Sequence, residues 1–350
     1  MTPAAGCSLR EVGHEHTAGR TPGDKQRHPF CRSTTCDTFE LRQWGFLRAG
    51  EVRAVDGVSF ELAAGESVAF VGESGCGKST LARTLLGLHK PTAGSVIFDG
   101  QELGTLKGAA LKAYRARVGY VQQDPYGALP PFMDVRRILA EPLIGSTACA
   151  TGPSTGDASR PPWTRCGCRQ RTRSCGKFPH MLSGGQQQRV VIARALVLAP
   201  TMLIADEPVS MLDASVRVEI LELLARIQRE RELTLAFITH DLSTVRHYAD
   251  RVFVMYAGRI IESAPVEDLI DHPQHPYTQA LLAALADPDP ANARRERPVP
   301  AGEPPSLIEP PTACRFHPRC PHFMPGTCDI HDPPDFEPRP AHHSTCWLHG

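Results

Sequence analysis

"SVAFVGESGCGKST" occupies Ser67–Thr80, and its reading decides the fold. "SVAFVG" is a short apolar run that stops at glycine, as a buried strand does at its end. "GESGCGKS" (Gly72–Ser79) fits the phosphate-loop spacing G-x-x-x-x-G-K-[ST], and "STLARTLLGL" after it opens a helix. Glycines let the backbone curl so that successive N–H groups point at phosphate oxygens. Lys78 supplies a charge to the β- and γ-phosphates and Ser79 a hydroxyl to Mg²⁺. Gly72, Glu73, Ser74, Gly75, Cys76, Gly77, Lys78, Ser79 and Thr80 are therefore the candidate phosphate cradle. The bland alternative, a glycine-rich turn that binds nothing, does not explain a strand before it and a helix after it.

Working outward, the strand-like text begins at Val52. "SVIFDG" (Ser95–Gly100), "VGYVQQ" (Val118–Gln123), "TMLIADE" (Thr201–Glu207) and "LTLAFITHD" (Leu233–Asp241) are further strands. "RVFVMYAGRIIES" (Arg251–Ser263) is another, with a turn at Ala257-Gly258. Val216, Ile220, Leu223, Leu224 and Ile227 share one face at helical spacing. Strands alternating with helices predict an α/β fold with a largely parallel sheet.

"MLIADE" carries the second part of the chemistry. Four apolar residues bury a strand, and Asp206 emerges at its end, where a metal ion would sit. Glu207 follows, where a carboxylate polarises an attacking water. Gln123 ends "VGYVQ" and offers an amide to the metal or the water, although a surface glutamine is an equal reading. His240 ends "LAFITH"; a lone histidine at a strand end is usually structural.

A second glycine turn, "LSGGQQQR" (Leu182–Arg189), also opens a helix and so also suits an anion. "GESGCGKST", "QQDP", "LSGGQQQR", "LIADEP" and "ITHD", in that order, resemble the ATPase subunit of an ABC transporter over residues 52–286. The resemblance implies a P-loop ABC ATPase that uses ATP and Mg²⁺. Gln123 is then the Q-loop glutamine, Asp206 the Mg²⁺-associated acid alongside Ser79, Glu207 the general base and His240 the switch histidine. It also accounts for the second turn. Two chains face head to tail, and Ser183, Gly184, Gly185 and Gln186 close over the ATP of the partner, with Asp213 in the D-loop.

"HPQHPYTQALLAAL" (His272–Leu285) and "DPYGALPPFMDVRRILAEPL" (Asp124–Leu143) resemble subunits for dipeptides, oligopeptides or nickel, the latter stretch being nearer the second of the two paired ATPases. The implied function is ATP-driven peptide import, with a second ATPase subunit, membrane permeases and, indirectly, a binding protein as partners. The alternatives are nickel as substrate, a soluble non-transport ABC ATPase, or an uncoupled subunit. Domains are expected at 45–270 for the ATPase and 271–350 for the transporter-type C-terminal region.

Composition narrows the classes. Of 350 residues, 38 are Lys or Arg and 38 are Asp or Glu, so no basic excess points to nucleic acid. No apolar run reaches the roughly 18 residues that span a bilayer, and the start of the chain lacks a signal-peptide core. A peripheral place on the cytoplasmic face of the membrane is expected, where the 12 cysteines stay reduced. Cys314, Cys320, Cys328 and Cys346 lie in a proline-rich tail and suggest soft-metal ligation. The resemblance implies a [4Fe–4S] cluster there, with zinc second because the spacings exceed close C-x₂₋₄-C pairs, and free thiols as the remaining alternative.

Three places depart from the pattern. Residues 1–44 show no sustained apolar period, which predicts poor order and leaves Trp44 as the candidate adenine-stacking residue. Gly145–Lys177 contains no Leu, Ile, Val, Phe or Met and six basic residues against Asp157 alone. It predicts disorder and weakened coupling, and its composition fits text read out of frame; Cys166, Cys168 and Cys175 within it are not taken as metal ligands. Met211 stands in the D-loop where the resembled family usually places alanine.

Overall fold

The structure is a computed structural model that describes residues 31–43, 47–144, 176–284 and 302–350. Its strands run, in chain order, β1 (Cys31–Gln43), β2 (Leu47–Leu62), β3 (Ser67–Val71), β4 (Ala93–Phe98), β5 (Gln101–Glu102), β6 (Val118–Val121), β7 (Met202–Asp206), β8 (Thr234–Thr239), β9 (Arg251–Tyr256), β10 (Arg259–Pro265), β11 (Phe336–Arg339) and β12 (His342–Ser344). The helices are α1 (Lys78–Leu85), α2 (Gly108–Arg117), α3 (Pro125–Ala128), α4 (Val135–Ile144), α5 (Gly184–Leu196), α6 (Ala214–Arg231), α7 (Leu242–Val245), α8 (Val266–Asp271) and α9 (Pro276–Ala283). They fall into two compact units, one of residues up to 63, 68–104 and 239–350, the other of 64–67 and 105–238.

The first unit holds an antiparallel sheet in the order β2-β1-β4-β5. β1 pairs β2 from Cys31 opposite Leu62 to Gln43 opposite Leu47, and also pairs β4. Over residues 31–43 this strand stands where the sequence predicts poor order. Its inward residues at the start are Cys31, Ser33 and Thr35, all buried, and such small polar residues leave no apolar alternation to detect. Residues 1–30, Trp44 and Gly145–Cys175 lie outside the described residues, as do the expectations placed on them.

The same unit carries β3 parallel to β9, with Val68 opposite Arg251 and Val71 opposite Val254. β9 turns at Ala257-Gly258, as predicted, into antiparallel β10, which pairs β12, and β12 pairs β11. Phe60, Phe70 and Phe253 pack with centroids 5.0–5.5 Å apart. A second aromatic group, Tyr256, Tyr277 and Phe316, joins β9 to the C-terminal region at 4.6–5.5 Å. Burial of such rings contributes to docking that region.

The second unit is a parallel β6-β7-β8 sheet with α2 to α6. β7 and β8 read as continuous apolar runs and are buried throughout, as parallel strands covered on both faces are. In α6 the predicted face is present: Ile220 and Leu224 are buried, and Val216, Leu223 and Ile227 half-buried.

Candidate active site

In the first unit the loop Gly72–Gly77 joins β3 to α1, whose N-cap is Gly77. Gly77 has φ +106°, and a Cβ there would lie 2.0 Å from the Ala54 carbonyl oxygen. Only glycine fits a positive φ against that backbone. The turn between β9 and β10 closes the loop from behind: Gly258 N–H donates to Cys76 O at 2.9 Å, and Asp56 N–H to Gly258 O at 2.8 Å. Lys78 is buried, and its Nζ donates to Gly72 O at 2.7 Å and Glu73 O at 2.8 Å. Its ammonium is thereby held over the curl of the loop, where phosphate charge needs it. Ser74 and Gly75 are exposed, and Ser79 and Thr80 half-buried at the start of α1. His240 is exposed, and Asp241 beside it caps α7 by accepting the Ser243 N–H at 3.0 Å.

In the second unit β7 delivers two neighbouring carboxylates with different surroundings. Asp206 is buried and accepts a hydrogen bond from the Tyr120 hydroxyl at 3.2 Å. Glu207 is half-buried, and its Oε2 accepts from Gln123 Nε2 at 3.0 Å. The structure thus brings Gln123 and Glu207 together. Glu207 has φ +44°, a left-handed conformation uncommon for a non-glycine residue and often found at functional sites. Its N–H donates to Ile238 O at 2.8 Å, which fixes the bend.

The signature turn is built as a capped helix end. Ser183 is the N-cap of α5, with Ser183 Oγ accepting from Gln186 N–H at 3.4 Å and Gln186 Oε1 from Ser183 N–H at 3.2 Å. This capping box aligns the first helical N–H groups, and Ser183 and Gln186 are exposed. A Cβ on Gly185 would meet Val216 Cγ1 of α6 at 2.5 Å, so glycine is needed for close packing of the helices. Asp213 occupies the position before α6 without a side-chain capping bond, and Met211 is exposed, so its bulk meets no packing cost within the chain.

The tail cysteines, all in the first unit, line one cavity together with His275 and Phe316. Burial pushes the Cys314 thiol up to about 12 and the Cys346 thiol to about 11. Four thiols around a shared space are a donor set that suits a thiolate-bound cluster. Among the described residues, however, no three His, Cys, Asp or Glu side chains form a group that could hold a metal ion, so the described geometry supports neither zinc nor iron–sulfur beyond that shared cavity.

Sequence reasoning missed Tyr120, which holds Asp206, and Tyr277 and Arg319, which reach the phosphate loop. Glu73 N–H donates to Tyr277 Oη at 2.9 Å, and Arg319 Nη1 lies 3.1 Å from Glu73 Oε2. "HPYTQ" was legible as a helix start, but no periodic signal marks a contact between residues so far apart in the chain.

The ABC transporter family matches residues 55–210, and the oligopeptide/dipeptide transporter C-terminal region matches residues 261–328. The chain is similar to the oligopeptide transport ATP-binding protein AppF of Bacillus subtilis, 43% identical over 314 residues, 89% of this chain and 94% of that one. It is also similar to the dipeptide transport ATP-binding protein DppF of Escherichia coli, 45% identical over 282 residues, covering 81% and 83%. Among solved structures it resembles the dimeric bacterial ABC transporter cassette MJ0796, 28% identical with a TM-score of 0.58, covering 67% of this chain and 98% of that one. With the phosphate loop, the acid pair and the capped signature in place, the chain belongs to the ATP-binding proteins of ABC transporters, in the group that carries the oligopeptide/dipeptide C-terminal region.

Proposed function

We propose that this protein hydrolyses ATP to energise import of peptides through a membrane permease. The observation that carries the ATPase part is the Gln123–Glu207 hydrogen bond beside the buried Asp206. The substrate part is supported by the relatives, whose names specify oligopeptides and dipeptides; they favour peptide over nickel. The C-terminal region favours a transporter subunit over a soluble ABC ATPase.

In this account Glu207 accepts a proton from the attacking water while Gln123 orients its carboxylate. Lys78 and the loop amides hold phosphate oxygens, and His240 is the switch histidine. A bound Mg²⁺ supplies charge neutralisation on the phosphates; Ser79 and Asp206 would hold it, with Gln123 as a further oxygen donor. Hard oxygen donors and a buried carboxylate suit that ion. Ser183, Gly184, Gly185, Gln186 and Asp213 serve the ATP of a second ATPase subunit, for which their exposed, capped helix end is suited. Membrane association comes through the permease in this reading; no described helix is long and apolar enough to cross a bilayer. Domains at 45–270 and 271–350 remain the proposed organisation. A [4Fe–4S] cluster at Cys314, Cys320, Cys328 and Cys346 is a further proposal, supported by their common cavity alone.

The test is uptake of a labelled dipeptide into vesicles carrying the permeases, the partner ATPase and this chain, with the binding protein and ATP supplied. ATP-dependent dipeptide uptake is expected. ATP-dependent nickel uptake without peptide uptake would overturn the substrate reading.

A further inference from the structure

Three residues from beyond the phosphate loop's own neighbourhood in sequence converge on it. Tyr277 of α9 accepts the Glu73 N–H at 2.9 Å. Arg319 Nη1 donates to both Glu73 carboxylate oxygens, at 3.1 and 3.3 Å, and to the Tyr256 hydroxyl at 3.3 Å. Arg315 donates to the Ala257 carbonyl and pairs with Asp56, bracing the turn whose Gly258 N–H holds Cys76 O. The second residue of the loop is thus gripped by backbone and side chain from the C-terminal region.

The charge of Glu73 explains why such a grip matters. Its carboxylate sits in a loop whose task is to receive phosphate, which is itself negative. Left alone it repels that ligand. Arg319 lies almost wholly buried, its side chain 8% exposed and that of Glu73 28%, so water screens this pair less than a surface pair. Burial works against the Arg319 charge, but hydrogen bonds with Tyr256 and Glu73 hold its pKa above the ordinary value. The guanidinium therefore stays charged and neutralises the carboxylate.

We infer that Arg319 and Tyr277 are positioning residues for the nucleotide, and that docking of the C-terminal region onto Glu73 sets the affinity for ATP. The inference rests on the reading of Gly72–Thr80 as the ATP phosphate loop. Arg319 neutralises Glu73 and turns it away from the phosphates, while Tyr277 fixes the direction of the Glu73 amide. Contacts made before and during reaction alike change KM rather than kcat.

The experiment measures ATP affinity and steady-state kinetics on the full chain for Arg319→Ala, Glu73→Gln, both together, and Lys78→Ala. Arg319→Ala should weaken ATP binding about tenfold with kcat within about twofold of the parent, a decade in affinity being about 1.4 kcal/mol. The double variant should recover affinity to within about threefold of the parent, because no carboxylate is left to repel phosphate. A simple loss of packing would not be rescued by Glu73→Gln. Parent affinity in Arg319→Ala, or loss without rescue in the double variant, would overturn the inference. If Arg319→Ala does not fold, Arg319→Gln makes the same comparison. Unchanged ATP binding in Lys78→Ala would instead sink the phosphate-loop reading itself.

Discussion

Gln123 donates its amide to the Glu207 carboxylate at 3.0 Å across the ends of β6 and β7. Neither residue needs the other for folding, since Gln123 is exposed and Glu207 half-buried. The bond engages Glu207 Oε2 and so orients the carboxylate. Gln123→Ala should lower kcat for ATP by about tenfold, the cost of one lost orienting hydrogen bond, with thermal stability unchanged. A parent kcat in that variant would remove Gln123 from the account.

The signature depends on a glycine for a packing reason. In Gly185→Ala the new Cβ would press on Val216 Cγ1 at 2.5 Å, a case of overpacking that costs about 1–3 kcal/mol. α5 must then shift away from α6 and carry Ser183 with it. Stability should fall by that amount in denaturant titration, and ATP-dependent dimerisation by at least tenfold in sedimentation.

Much of this site was legible because phosphate loops and buried parallel strands are written locally. Gly72–Ser79 needs a fixed spacing, and β7 and β8 are unbroken apolar runs. β1 was not legible, because Ser33 and Thr35 fill its buried face and mimic a loop. The Arg319–Glu73 pair was not legible either. It joins segments 246 positions apart, and side-chain pairing at that distance leaves no mark in periodicity. The tail cysteines could be counted but not placed; they line one cavity with Phe316, whose ring packs against Tyr256 and Tyr277 through contacts distant in sequence.

The C-terminal strands should make stability depend on pH. His342 is buried between Glu262 and Asp268, with each ring nitrogen 2.7 Å from a carboxylate oxygen, and Arg339 also faces Asp268 at 2.9 Å. Burial lowers the His342 pKa, but the two carboxylates outweigh this and raise it above 6.5. Stabilisation is therefore complete below about 6.5 and is lost as pH rises through the raised value. The hydrogen bond from His342 lowers the Asp268 pKa, so that group adds stability above its ordinary value and loses it as pH falls through the lowered one. Thermal melts should show Tm falling as pH rises above about 6.5, and His342→Gln should flatten that slope. An unchanged slope in the variant would assign it elsewhere.

If the proposed tail cluster forms, protein purified without oxygen is brown and carries iron and sulfide. Both should be absent from a Cys314→Ser/Cys320→Ser variant. Colourless protein holding one zinc would favour a single-ion site, and protein with no metal would leave four thiols around a cavity.

Glu207 is the residue on which hydrolysis turns. Glu207→Gln keeps the shape and the neighbour of the carboxylate while removing its capacity to take a proton. ATP hydrolysis by the variant should fall roughly 10²–10⁴-fold, while ATP binding, measured by equilibrium titration on the same sample, stays at the parent affinity. Hydrolysis at the parent rate with binding intact would contradict it.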